Sequence, residues 1–110
     1  MAIAQDNDLL NDTSFATQLR SQIEYPTTGI NRKKLIKTDQ QTALVMCLAA
    51  GTKLSEHSTP RTVTVTVIDG LGVLTINEKK IDLEPGVFVY MPANTPHALQ
   101  AVENLAFLHT

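Results

Sequence analysis

Six consecutive residues, Thr62-Val63-Thr64-Val65-Thr66-Val67, alternate strictly between threonine and valine. Both types branch at Cβ, which stiffens the side chain and favours the pleated backbone of a strand. Successive side chains of a strand point to opposite faces, so the valines line one side and the threonines the other. A helix cannot use that pattern, because residues two apart do not share a helix face. One face of this strand therefore meets a core, and the rest of the chain must supply it.

From Ile30 onward the sequence supplies more of the same, with short strand-like runs broken by turn signals roughly every eight to twelve residues. Arg32–Ile36 and Thr42–Leu48 read as strands, and Ala49-Ala50-Gly51 breaks the second. Asp69-Gly70 reads as a turn after the Thr/Val strand, leading into Gly72–Ile76. Asn77-Glu78-Lys79 reads as a hairpin tip before Lys80–Leu83, and Glu84-Pro85-Gly86 as a turn before Val87–Met91. A loop over Pro92–Pro96 then leads to two last strands, His97–Ala101 and Leu105–His109. No segment between strands is long enough for a crossover helix, which excludes a parallel sheet. The expectation is an all-β barrel or sandwich, of which a barrel leaves no edge exposed.

The chain divides into an N-terminal segment, 1–24, and a barrel, 25–110. Residues 1–12 are polar and acidic and are expected to fray. Over 13–24, Phe15, Leu19 and Ile23 recur every four residues. That spacing suits a short helix capped by Asp12 or Thr13, and it also suits an edge strand. Pro26 and Gly29 end the segment in either case.

At 110 residues there is room for one domain with one core. Nine Lys and Arg against eleven Asp and Glu give a net charge of −2. The one basic cluster, Arg32-Lys33-Lys34, is short and runs into Leu35 and Ile36. Phosphate attraction dominates nucleic-acid affinity, so this balance argues against a nucleic-acid partner. The lone Cys47 sits in an apolar run and reads as a small core residue. Asp6 and Asp8 stand where a secretion signal would carry cations, and no stretch approaches the apolar length of a membrane span. A cytoplasmic protein without a membrane partner is expected.

Two stretches bring a family into view. Gly51 through His57-Ser58-Thr59 and Val63 to Gly70 resembles the first motif of the cupin superfamily, a glycine, a His-x-His pair, a glutamate and a second glycine. Gly86 through Pro92-Ala93-Asn94-Thr95-Pro96-His97 resembles the second motif, in which glycine, proline, glycine and histidine follow at fixed spacing. The resemblance spans about residues 30 to 110 and is to the small single-domain, conserved-barrel kind. It implies a double-stranded β-helix, or jelly-roll barrel, with its ligand inside, and it implies a homodimer, to which the 13–24 segment would contribute.

Metal-binding members of that family use two histidines and a glutamate from the first motif and a histidine from the second. Here His57 and His97 keep two of those positions, while Thr59 and Val63 replace the other two. Asn94 replaces a motif glycine, a mild change because Asn tolerates a left-handed backbone. Two imidazoles without a carboxylate make a weak, exchangeable site for Fe, Mn, Ni or Zn, since tightly held catalytic metals take three protein ligands. The alternative is that both rings are hydrogen-bonded to the wall or to water. Glu56, adjacent to His57, should point to the opposite face, and His109 reads as a surface or terminal histidine. Arg61 shares parity with Thr59 and Val63, which would lean it toward the mouth to pair with a ligand carboxylate; the alternative, which the sequence favours, is an exposed arginine at the rim. Val87, Val89 and Met91 share one face and Phe88 and Tyr90 the other, and parity leaves open which lines the cup.

The sequence thus supports a cup that binds a small organic ligand, with His57 and His97 at its mouth and Thr59, Arg61, Val63 and Met91 as ligand contacts. A dioxygenase- or isomerase-type enzyme with a divalent metal on the two histidines is the alternative, and proton transfer by either histidine is a third.

Overall fold

In the computed structural model, which describes residues 13–110, one short 3-10 turn at Leu19–Gln22 precedes the strands. These are β1 (Ile30–Lys37), β2 (Thr42–Leu48), β3 (Lys53–His57), β4 (Val63–Ile76), β5 (Lys79–Leu83), β6 (Phe88–Met91) and β7 (His97–His109). Every pairing is antiparallel.

The two long strands, β4 and β7, run against each other from Val65 opposite His109 to Ile76 opposite His97. Register shifts between Val67 and Asp69 and between Gly70 and Gly72 interrupt that ladder. Bulges of this kind bend a strand and let it pass from one sheet to another. The first half of β4 carries β6 on its free side and the second half carries β5. Likewise the second half of β7 carries β2, and through it β1, while the first half carries β3. The result is two sheets, β1-β2-β7-β4-β6 and β3-β7-β4-β5, that share their two central strands. This is the jelly-roll barrel expected from the sequence.

Three details differ from the sequence reading. Asp69-Gly70 is a bulge inside β4 and not a chain reversal. Gly70 has φ +92, and a Cβ there would overlap the carbonyl oxygen of Asn104. Only glycine permits the close approach that makes the bend. For the same reason His97–Ala101 and Leu105–His109 are one continuous strand bent opposite that bulge. Lys53–His57 is a strand that the pattern does not announce, because Leu54 is its one apolar residue and its definition comes from backbone pairing with β7. The hairpin tip is the two-residue turn Asn77-Glu78, both at positive φ, joining Ile76 to Lys79.

The Thr/Val alternation is realised as read, with Val63, Val65 and Val67 buried and Thr64 and Thr66 half-buried. The valines join Met46, Leu48, Leu105 and Phe107 from the first sheet and Leu74, Leu83 and Leu99 from the second in one core. A second cluster lies on the outer face of β2, where Val45 and Cys47 meet Leu35 and Ala106. Phe15, Leu19, Ile23 and Tyr25 cover it. β2 is therefore buried on both faces, which accounts for its unbroken apolar run. The every-fourth-residue spacing of Phe15, Leu19 and Ile23 marks a strap along this sheet, with a single 3-10 turn in place of the helix or strand. Gln18 precedes the turn without a side-chain cap, and Asp12 lies outside the described residues. The apolar surface these residues require comes from their own chain.

The strap grips the bulge. The Tyr25 hydroxyl donates to Asp69 Oδ2 at 2.6 Å, and Arg20 reaches Asp69 Oδ1 at 3.4 Å and the Ile68 carbonyl at 3.3 Å. Burial, then the bond to Asp69, pushes the Tyr25 phenol well above its ordinary value. The same bond holds the Asp69 carboxyl below its own.

Gly70→Ala should destabilise the fold by about 3 kcal/mol or more, because the backbone of β4 or β7 must shift. Gly86→Ala, at φ +96 with nothing near its Cβ, should cost only about 1 kcal/mol. Urea midpoints of the two variants check the contrast. Tyr25→Phe should cost about 1.5–3 kcal/mol in the same assay, the range of one bond to a charged group.

Candidate functional site

Because β4 and β7 both bend in the middle, both ends of each strand return to the same mouth. His97 and His109, at opposite ends of β7, line one cavity of about 460 Å³. Its wall is apolar, built from Leu44, Met46, Val65, Leu74, Leu99 and Phe107 among others. Its polar lining comes from Arg32, Lys53, Ser55, His57, His97 and His109. Among the described residues, no aspartate or glutamate lines it.

His57 reaches the mouth through a register shift in β3 that sets it directly opposite His97. The two ring centroids are 4.3 Å apart with planes tilted by 56°. Each ring is held by the backbone two residues before it, His57 Nδ1 at 3.0 Å from the Ser55 carbonyl and His97 Nδ1 at 2.8 Å from the Thr95 carbonyl. A carbonyl oxygen can only accept, so each Nδ1 carries the hydrogen and each Nε2 keeps its lone pair in the neutral ring. Two lone-pair nitrogens thus belong to adjacent rings that the main chain orients.

Of the residues singled out from the sequence, the structure brings His57, His97 and Met91 to this cavity and leaves Thr59, Arg61 and Val63 off its lining. Val63 is buried in the core opposite Met91. The Thr59 hydroxyl accepts from the Arg61 N–H and donates to the Arg61 carbonyl, both at 3.1 Å. The Thr59 carbonyl accepts the Asn94 N–H at 2.6 Å, which ties the loop after β3 to the loop before β7. Asn94 adopts φ +67, the left-handed conformation that its motif position calls for. Arg61 is exposed and lines a neighbouring hollow with Thr62, Val63 and His109. The faces of β6 are now distinguished: Val89 and Met91 are buried, and Phe88 and Tyr90 are 63% and 59% exposed.

Four polar residues of the lining, Ser55, His109, Arg32 and Lys53, are not singled out as site residues by the sequence. His109 has the parity of Leu105 and Phe107, a signal that it faces inward. Burial pushes its pKa down, and the charges of Arg61, His97 and Arg32 add to the effect. Arg32 lies opposite Met46, itself opposite Phe107, so it too is on the inward face. Lys53 pairs with Gln100 at the edge of the second sheet.

The donors do not fit a tightly held metal ion. Val63 stands in the core where the family motif places a glutamate, and the Thr59 hydroxyl is occupied in its own loop. Among the described residues, no group of three or more His, Cys, Asp or Glu is placed to hold a metal. Two imidazoles are fewer than the three protein ligands of a typical catalytic zinc site. No helix of the described residues is long and apolar enough to cross a membrane.

Comparison with known proteins bears on the fold. The family model described as a cupin domain matches residues 44–109. A conserved protein of unknown function from Streptococcus pyogenes is 26% identical with a TM-score of 0.78, covering 99% of this chain and 92% of its own. A cupin superfamily protein from Desulfitobacterium hafniense is 23% identical with a TM-score of 0.78, over 94% and 93% of the two chains. Salicylate 1,2-dioxygenase from Pseudoaminobacter salicylatoxidans is 21% identical with a TM-score of 0.68, over 76% of this chain and 27% of that enzyme, a likeness of fold alone. No curated protein matches the sequence.

His109 sets a pH dependence whose sign follows from its depressed pKa. Between the folded value and the ordinary value of 6.5, the unfolded chain binds the proton more readily than the folded one. This contribution to stability is therefore full above pH 6.5 and declines on acidification through that window. Melting temperatures from pH 7.5 to 5 should fall more steeply for the native chain than for His109→Gln. Parallel profiles would remove His109 as the cause.

Proposed function

The chain belongs to the cupin family, and we propose that it is a binding cup for a small organic ligand. The apolar wall takes the body of the ligand, while Nε2 of His57 and of His97 accepts hydrogen bonds from its polar end. The observation that carries this reading is the cavity, about 460 Å³ of space with a mainly apolar wall and a few polar side chains in its lining. Small-molecule sites are built this way, within roughly 300–1,000 Å³ and with a few polar groups that fix orientation. The bonds from Nδ1 to the main chain keep both rings in one tautomer, so the acceptors need no reorganisation when ligand enters. Either nitrogen is also suited to take a proton from a bound hydroxyl.

A second reading, a divalent ion on His57 and His97, has one observation in its favour. Metal-ligating histidines commonly donate their other ring N–H to a carbonyl, as both rings do here. The assembly proposed with either reading is a cytoplasmic homodimer, on the family resemblance.

Elemental analysis of untagged protein separates the two readings. The cup reading expects protein that is metal-free as purified and stays folded in chelator. Near-stoichiometric metal that disappears in a His57→Ala, His97→Ala double variant would overturn it in favour of the second. Sedimentation velocity at micromolar concentration reads the assembly, and a monomer throughout would remove the homodimer.

A further inference from the structure

We propose that the ligand of the cup is an organic carboxylate, its charged group seated at the mouth against Arg32 and its apolar body against the wall. This rests on the cup reading and adds to it the class of ligand.

The argument turns on two neighbouring residues of β1. Lys33 pairs with Glu24 at 3.1 Å, an acid that the N-terminal strap supplies. Arg32 points the other way, opposite Met46 and into the cavity. Arg32 takes part in neither the Lys33–Glu24 nor the Arg20–Asp69 ion pair. Two consecutive cations thus lie on opposite faces of one strand, and the protein matches the outer one with an acid and not the inner one.

The surroundings of Arg32 are electrostatically one-sided. Lys53 is the other permanent cation of the lining, three imidazoles complete the mouth, and no carboxylate opposes them. This concentration stands out in a chain whose net charge is −2. A recess lined by one sign of charge with low-dielectric walls focuses its field and attracts the opposite charge. Arg32 is exposed and shares the cavity lining with Leu44, Met46 and Phe107, so its guanidinium is accessible to an anion entering the cup. Guanidinium and carboxylate match as a bidentate pair, and Nε2 of His57 and His97 remains for a hydroxyl elsewhere on the ligand. The ordinary alternative is a solvated arginine at an open rim. That alternative accounts for the exposure of Arg32 but gives no reason for its place in the cavity lining.

Two matched pairs of compounds test this, hexanoate against hexanamide and benzoate against benzamide. Binding is followed by the methyl resonances of Met46 and Met91, both in the cavity lining. The acids should bind about tenfold or more tighter than their amides, the scale of one charge-assisted bidentate contact. Arg32→Gln should abolish that preference by weakening the acids more than the amides, whereas Lys33→Gln should leave the preference intact. Added salt should weaken the acids and spare the amides, a readout on the native chain that stands even where Arg32→Gln fails to fold. Equal shifts from acids and amides would overturn the proposal and leave the cup standing. An acid preference that survives Arg32→Gln in folded protein would also overturn it. Methyl resonances that none of the four compounds moves at millimolar concentration would overturn cup and proposal together.

Discussion

The antiparallel ladder between β4 and β7 is the constraint from which the rest of the molecule follows. Each sheet contains half of it, so neither sheet can form with the other strand misplaced. A slip of one residue would turn Thr64 and Thr66 inward in place of the valines, and Gln100 in place of Leu99. The bend depends on Gly70, whose missing Cβ lets the Asn104 carbonyl approach. Tyr25 and Arg20 close on Asp69 beside it, so the N-terminal strap braces the same point from outside.

Much of this architecture could be read from the sequence, and what could not has identifiable causes. The Thr/Val run gave its strand and its buried face because β-branching and alternation act locally. Asp69-Gly70 was misread because a glycine at positive φ serves a turn or a bulge equally well, and the distinction lies in Asn104 across the ladder. β3 carries a single apolar residue, so only its hydrogen-bonded partner makes it a strand. His57 and His97 emerged through motif spacing. His109 and Arg32 did not, because their meeting with the other two depends on a bend that returns both ends of β7 to the mouth. Thr59 and Arg61 looked inward by parity, yet the chain between them is a loop closed by Thr59 itself, where parity has no force.

The composition of the mouth follows from the same substitutions that erode the family's metal ligands. With Val63 in place of a carboxylate, that position joins the hydrophobic core and contributes nothing to the charge balance above it. Removing the acid leaves the field of Arg32, Lys53 and the imidazoles without an internal counterweight. Burial, then the charges of Arg61, His97 and Arg32, act on His109 in the same direction, favouring its neutral form.

The place of β7 in the chain order has a consequence for how the protein is made. It is the seventh strand to leave the ribosome, yet it pairs with β2, β3 and β4 and is central to both sheets. Until residues 97–109 emerge, the inner edges of β2 and β4 have nothing to pair with, and hairpins such as β4–β5 are what can form early. Loop closure over such separations is slow, and unpaired edges are open to other chains in the meantime. Nascent chains stalled before His97 should therefore be the ones that need a chaperone.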